Sequence, residues 1–305
     1  MTLRLADHCG RYLSELAHYD QRITVLDGDL ADSDGAIHFA AEHPRRFIMA
    51  GIAEQCMVSM AAGMASCGLR PWVFSFGAFL CYRAYDQIRV CLSQSVQPVT
   101  LVGSHAGGCS ARNGQSHTAL NDISLMASLP NMQVWAPADE GDVRFAVRDI
   151  LGGEMPTYVR LPRRPAEPLP GEPSHYRWLG RPARVAMLTT GLGTHLALAA
   201  QAPLATRGLE VGILHLAKIW PLPEDLLSEV LAGVDTLFIV EDHYTFGGLG
   251  SIVQHAGSSA KVVGLGWQND WPGQCGDDEE LLELRGPSPR RIATAVAANF
   301  GLDLI

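Results

Sequence analysis

Arg46-Phe47-Ile48-Met49-Ala50-Gly51-Ile52-Ala53-Glu54-Gln55-Cys56-Met57 is the stretch that decides the fold. A short apolar run at 46–49 meets a glycine. Beyond it begins a helical pattern whose apolar stripe includes Met57, Met60, Ala61 and Met64, stopped by Gly68. Strand, tight turn and covering helix make one unit of a parallel sheet. The same alternation extends from Ile23, with strands expected at 23–26, 46–49, 71–76, 99–104, 133–136 and 157–161. Between them helices are expected at 53–67, 78–94, 119–128 and 139–151, with Asp139 as N-cap of the last.

Four prolines at 165, 168, 170 and 173 then interrupt the pattern, together with charges and a glycine, as in an extended linker. A second alternating set follows, with strands expected at 185–190, 211–215, 237–241 and 262–266. The fold class is therefore α/β: two consecutive domains, each a mainly parallel sheet flanked by helices. The first is expected over 1–162, the linker over 163–178 and the second over 179–305.

With 305 residues, 47% of them hydrophobic and 18% charged, the chain can bury two cores. The net charge of -9 is dispersed, and the basic residues cluster only at Arg160, Arg163 and Arg164, so neither nucleic acid nor a membrane is an expected partner. Seven cysteines without a Cys-x-x-Cys pair indicate neither a disulfide framework nor a zinc knuckle. A reducing, cytoplasmic setting fits that usage. The N-terminus carries no apolar signal core, and the longest apolar stretch, 57–69, is broken by Ser59, Gly63, Ser66 and Gly68.

Open α/β sheets bind ligands beyond the carboxyl ends of their strands, which brings Glu54 forward. By spacing alone it serves equally as a carboxylate complementing a helix dipole or as a functional acid. A second candidate is the loop after the strand at 99–104, Ser104 to His117, rich in glycine and small polar residues with two histidines and an arginine. Such a loop suits a hydroxylated or anionic small molecule, and its two histidines lack a third ligand for a metal. Gly191-Leu192-Gly193 opens a helix as a dinucleotide fingerprint would, but Leu196 stands where the third glycine belongs. Gly247-Gly248-Leu249-Gly250 reads as a tight turn, and no nucleotide phosphate is expected at either.

Taken in order, Gly51-Ile52-Ala53-Glu54-Gln55, Phe74-Ser75-Phe76-Gly77-Ala78-Phe79, Arg83-Ala84-Tyr85-Asp86-Gln87-Ile88-Arg89, the loop from His105 to His117, Leu129-Pro130-Asn131-Met132 and Pro137-Ala138-Asp139 resemble the pyrimidine-binding domain of transketolases. Lys218-Ile219-Trp220-Pro221-Leu222 and Glu241-Asp242-His243 resemble the C-terminal domain of the same family. The resemblance covers essentially the whole chain.

It implies thiamine diphosphate as cofactor. Glu54 would bond a ring nitrogen of the aminopyrimidine and exchange a proton with it, while Phe76 and Phe79 pack on the ring. His105 and His117 would bind substrate oxygens and assist proton transfer. Arg4, Ser33, Asn113 and Arg160 would complete the contacts to a sugar or sugar phosphate. Asn113 departs from the family, which commonly has an aspartate there, preceded by an acidic residue where this chain has Arg112.

The family's Gly-Asp-Gly segment with its downstream asparagine, which holds Mg2+ and the diphosphate, has no counterpart here. Leu26-Asp27-Gly28-Asp29-Leu30 lacks the second glycine and aligns with the opening strand. The resemblance thus implies a split enzyme. A diphosphate-binding subunit of the N-terminal transketolase type would supply the metal and diphosphate ligands, in an α2β2 heterotetramer, and the chain alone could form a homodimer. The expected activity is transfer of a two-carbon ketol group from a ketose to an aldehyde. Alternatives are the beta chain of a 2-oxoacid dehydrogenase first component, half of a deoxyxylulose-phosphate synthase, and a catalytically silent scaffold.

Overall fold

The computed structural model describes residues 3–108, 110–271 and 275–303; Cys109 of the histidine loop lies outside them. Six strands run parallel in the first sheet: β1 (Ile23–Asp27), β2 (Phe47–Met49), β3 (Arg70–Phe76), β4 (Thr100–Ser104), β5 (Gln133–Trp135) and β6 (Thr157–Arg160), in the spatial order β5-β6-β4-β3-β1-β2. β1, β3 and β4 are buried along their whole length, as near-continuous apolar runs covered by helices on both faces require. The chain moves outward from β1 to β2, then back across β1 to β3. That change of direction opens a crevice at the carboxyl edge, where ligands of such sheets bind.

The second sheet has the order β12-β11-β8-β9-β7, built from β7 (Tyr176–Trp178), β8 (Val185–Thr189), β9 (Gly212–Leu216), β11 (Thr236–Tyr244) and β12 (Lys261–Trp267). All its pairs are parallel except β7 with β9. The segment expected as linker thus ends in a strand. Arg177 of β7 is drawn into the interior by Asp139 and Asp142.

β10 (Lys218–Trp220) crosses over instead, pairing antiparallel with β5 at the edge of the first sheet. The second domain therefore covers an edge that would otherwise stay open. One apolar core runs through the seam, joining Val134 and Ala136 of the first domain to Leu188, Leu214 and Ile239 of the second. A further core packs the helix Leu5–Ala17 and the helix Glu140–Gly152 on the other face of the first sheet.

The helix expected continuously over 78–94 breaks at Ala84 (φ -102°, ψ 13°) and is flanked by wide, π-type turns at Phe79–Arg83 and Ile88–Gln94. Such turns recur at functional sites because the extra residue re-aims side chains. Gly193 is not a phosphate cradle: a Cβ there would lie 2.4 Å from the Val240 carbonyl oxygen, so the glycine lets its helix pack on β11. At Leu249–His255 the helix end is filled from within, by the Glu241 carboxylate accepting from Leu249 N (2.8 Å) and Gly250 N (3.4 Å).

Candidate active site

Glu54 opens the helix Glu54–Ser66 just past the carboxyl end of β2, with Gly51 (φ 73°) making the turn. The main chain is placed by Ala50 N donating to Asp27 O (2.9 Å), a bond between neighbouring strand ends. The side chain is 0% exposed. Arg83 donates to its Oε2 at 2.6 Å, while Oε1, also buried, has no hydrogen-bond partner among the described residues.

Beside this carboxylate stands a group of rings. Arg83 lies over the Phe79 ring (4.7 Å to its centroid), so one cation both fixes the glutamate and backs the aromatic face. Phe76, at the end of β3, stacks with Phe79 (centroids 5.7 Å apart, planes 19° apart). His105 stacks on Phe76 at 4.0 Å, and His117 meets Phe79 edge-on at 5.2 Å. Glu54, Phe76, Phe79, His105 and His117 are therefore one constellation, contributed by the ends of β2, β3 and β4 and the loop that follows.

His105 has φ 53° and is buried; its Nδ1 sits 3.2 Å from Ser104 Oγ. Burial, reinforced by the positive charges of Arg163 and Arg4 and by His117, holds its imidazole well below the ordinary value, at about 4. It is neutral at pH 7 and can donate one proton and accept another. His117 is half-buried, with Nδ1 2.9 Å from Ser116 Oγ. Asn113 is exposed on the same loop.

The remaining expected contacts are placed differently. Arg4 caps the helix Leu5–Ala17, pairing with Asp7 and donating to the carbonyls of Asp32 (2.9 Å) and Ser33 (2.5 Å). Its contact with Ser33 is to the main-chain carbonyl, and its donors are engaged within the chain. Arg160 is 4% exposed and is not available to a ligand: Nε donates to Asp122 Oδ2 (2.9 Å) and Nη2 to the Asp242 carbonyl (3.0 Å). A buried guanidinium needs such partners, and here they come from segments far away in sequence. The larger positive influence on His105 is that of Arg163, three residues on, whose charge also acts on Asp278. The position of Arg163 just past the end of a sheet strand was the available signal.

The residues present fit an aminopyrimidine. A buried carboxylate offers one fixed and one unpartnered oxygen beside stacked phenylalanine rings, as a flat heterocycle with polar ring atoms requires. They do not form a metal site. Among the described residues, His18, Glu42 and His43 bring potential ligand atoms together, but both His43 ring nitrogens are engaged, Nε2 with Ser14 O (2.9 Å) and Nδ1 with Arg46 (2.8 Å).

Sheet order, the glutamate at the strand–helix junction and the ring cluster define the class: a pyrimidine-binding α/β domain joined to a second α/β domain. The family "Transketolase, pyrimidine binding domain" matches residues 2–167 and "Transketolase, C-terminal domain" matches 179–292. The chain belongs to the transketolase family, whose pyrimidine-binding domain implies thiamine diphosphate. It is 34% identical to a putative transketolase C-terminal section of Methanocaldococcus jannaschii, covering 94% of this chain and 93% of that one. It is 33% identical to a 6-deoxy-6-sulfo-D-fructose transketolase subunit of Clostridium sp. (strain MSTE9), over 93% of this chain and 90% of that one. Among solved structures, a split-gene transketolase described as an inactive beta4 tetramer superposes with a TM-score of 0.86 at 30% identity, covering 99% of this chain and 100% of that one. Among the described residues, no helix is long and apolar enough to cross a membrane.

Proposed function

We propose that the chain is the pyrimidine-binding subunit of a two-subunit transketolase, which with a diphosphate-binding partner moves a two-carbon ketol unit from a ketose to an aldehyde. The observation that carries this reading is the Glu54 carboxylate, held by Arg83 through Oε2 and unpartnered at Oε1. When bound, thiamine diphosphate supplies the carbon centre through which a carbon–carbon bond beside a carbonyl is broken and remade. Glu54 Oε1 takes and returns a proton at the pyrimidine ring, and Arg83 keeps that carboxylate oriented. Phe79, backed by Arg83, and Phe76 seat the flat ring.

His105 and His117 bind substrate oxygens and relay protons, His105 from its neutral form. Arg163, with Arg4 and Ser33 nearby, forms the positive end of the site in place of Arg160 and suits an anionic sugar terminus. Asn113 puts a neutral amide where the family commonly has an acid, which relaxes the demand on the sugar hydroxyl it meets.

A partner is supported by the face beside the site, where Met49, Ile52, Met60 and Tyr82 are exposed. Names such as C-terminal section and subunit among the relatives support it too. Mg2+ and the diphosphate fall to that partner, in a heterotetramer with two copies of each chain. We read the first domain as 1–162 and the second as 179–305, joined by a linker over 163–178 whose last three residues are lent to the second sheet as β7.

The experiment is co-expression with a subunit carrying Gly-Asp-Gly and a downstream asparagine. Calorimetric titration with thiamine diphosphate and Mg2+ follows, then assays with xylulose 5-phosphate, fructose 6-phosphate, 6-deoxy-6-sulfo-D-fructose or pyruvate as donor. Cofactor binding by the pair alone and turnover of a ketose are expected. A pair that binds no cofactor, or turnover by this chain unaided, would defeat the reading; turnover of pyruvate alone would favour the synthase or dehydrogenase alternatives.

A further inference from the structure

The histidine loop leaves β4 through His105 (φ 53°), Ala106, Gly107 (φ 83°) and Gly108. Each residue of this stem is tied down. Ala106 N donates to Leu161 O (3.1 Å), Gly107 N to Ala119 O (3.0 Å), and Ser110 Oγ to the carbonyl of His105 (2.8 Å). Those ties are internal to the first domain. The remaining one is not: Gly108 N donates to Oδ1 of Asp242 in the second domain, at 3.0 Å.

Asp242 is buried, and the same Oδ1 accepts from Trp267 Nε1 at 2.7 Å, so β11 and β12 together present a rigid platform of carboxylate and indole. The two glycines lie flush on it. A Cβ on Gly107 would come within 1.8 Å of Asp242 Oδ2, and one on Gly108 within 2.1 Å of the Trp267 ring. The Asp242 carbonyl accepts from Arg160, which fastens the end of β6 to the same place.

We propose that Asp242 is a positioning residue: from the second domain it fixes the height of the Gly107–Gly108 stem and thereby holds His105 against Phe76 in the substrate site. This rests on the function proposed above. It gives the second domain a part in the reaction although none of its side chains belongs to the ring cluster. Asp242 acts only as a double acceptor, so an asparagine amide oxygen can replace it and an alanine cannot.

The test compares Asp242→Ala, Asp242→Asn and Gly108→Ala with the parent chain by two readouts. The first is kcat/KM of the reconstituted pair for whichever ketose it turns over, beside its Kd for thiamine diphosphate. The second is the NMR titration of the His105 ring in this chain alone. Misplacing a reacting group by about an ångström costs on the order of a hundredfold in rate. Asp242→Ala and Gly108→Ala are expected to lose about that factor in kcat/KM with cofactor affinity retained. The His105 midpoint should rise from about 4 toward its ordinary value as water enters. Asp242→Asn should restore both.

The proposal is overturned if Asp242→Ala keeps both the rate and the His105 midpoint. It is equally overturned if cofactor affinity falls in step with the rate, which would mark general damage. Should Asp242→Ala not fold, Gly108→Ala leaves the platform whole and is read against the same outcomes. If no ketose is turned over, the reading of function fails, while the His105 titration still decides the positioning claim.

Discussion

Arg83 donates to Oε2 of Glu54 at 2.6 Å, while Oε1 of the same buried carboxylate has no hydrogen-bond partner among the described residues. An unsatisfied buried acceptor costs a folded chain on the order of 1–3 kcal/mol, more for a charged group, and is ordinarily eliminated unless a ligand completes it. Arg83 is 44% exposed and can be re-solvated if its partner is removed, whereas Glu54 at 0% cannot. The asymmetry marks Glu54 as the member of the pair that awaits something.

Glu54→Gln should therefore leave the chain as stable as before, within about 1 kcal/mol, because the exposed end of the ion pair contributes little. It should lower ketol transfer by the reconstituted pair by about a hundredfold or more, since an amide cannot exchange the proton. Thermal unfolding and steady-state rates check the two halves. A Gln variant of near-normal activity would remove Glu54 from the chemistry.

His105 gives a pH dependence of definite sign. Its pKa in the folded chain is depressed by burial to about 4, against an ordinary 6.5. Between those values the unfolded chain takes up a proton that the folded chain refuses, so the contribution to stability is whole above about 6.5 and is lost as pH falls toward 4. The loss amounts to about 3 kcal/mol at most, at 1.36 kcal/mol per unit. His105→Asn, which tolerates the left-handed backbone, should flatten the stability profile in this window. Urea unfolding at pH 7, 6, 5 and 4 measures the slope, and parallel profiles for the two proteins would contradict the assignment.

Asp34 should act in the opposite direction. Burial, with the adjacent Asp27 carboxylate, pushes its pKa up to about 9, and Asp27 is raised as well, chiefly by burial, so the pair keeps a proton in the folded chain that unfolded carboxyls release. A raised value means that the contribution is full below the unfolded pKa near 3.8 and is lost as pH rises through 9. Asp34→Asn needs no proton to be neutral, so it should gain stability relative to the parent chain as pH rises from 6 to 9. Melting temperatures across that range are the measurement, and an unchanged difference would count against the shared proton.

The strand ends that carry the candidate site are visible in the sequence because parallel strands buried on both faces read as unbroken apolar runs, and their turns need glycine at Gly51 and Gly68. Glu54, Phe76, Phe79, His105 and His117 sit at such ends, and the fold brings them together. What depends on distant pairing is not visible. The alternation that begins at Ile23 passes over the helix Leu5–Ala17, whose N-cap is an arginine paired with Asp7 rather than the usual hydroxyl or amide. β10 is three residues long and takes its identity from β5, more than eighty positions earlier. Arg160 reads as a free cation at a sheet edge until Asp122 and the Asp242 carbonyl, 38 and 82 residues away, are folded against it.

The seam between the domains makes the last prediction. Asp142 lies 3.0 Å from Arg177 Nη1 and 2.8 Å from His215 Nε2, and accepts from Ala138 N at 3.1 Å, while Arg177 also reaches Asp139 at 3.1 Å. Burial would raise the Asp142 pKa, but His215 and Arg177 outweigh it and hold the carboxyl below its ordinary value. Asp142 belongs to the first domain's helix, whereas Arg177 and His215 belong to β7 and β9, so removing the acid strands two polar groups of the other domain in the interior. Breaking a buried pair by removing one partner costs about 3–5 kcal/mol. Asp142→Ala and Arg177→Ala should each lose roughly that much, and the double variant clearly less than their sum, because the second change removes a group the first had orphaned. Denaturant unfolding of the three variants measures the coupling. Additive losses would mean that the two residues act independently, and single losses under about 1 kcal/mol that the apolar core alone holds the domains together.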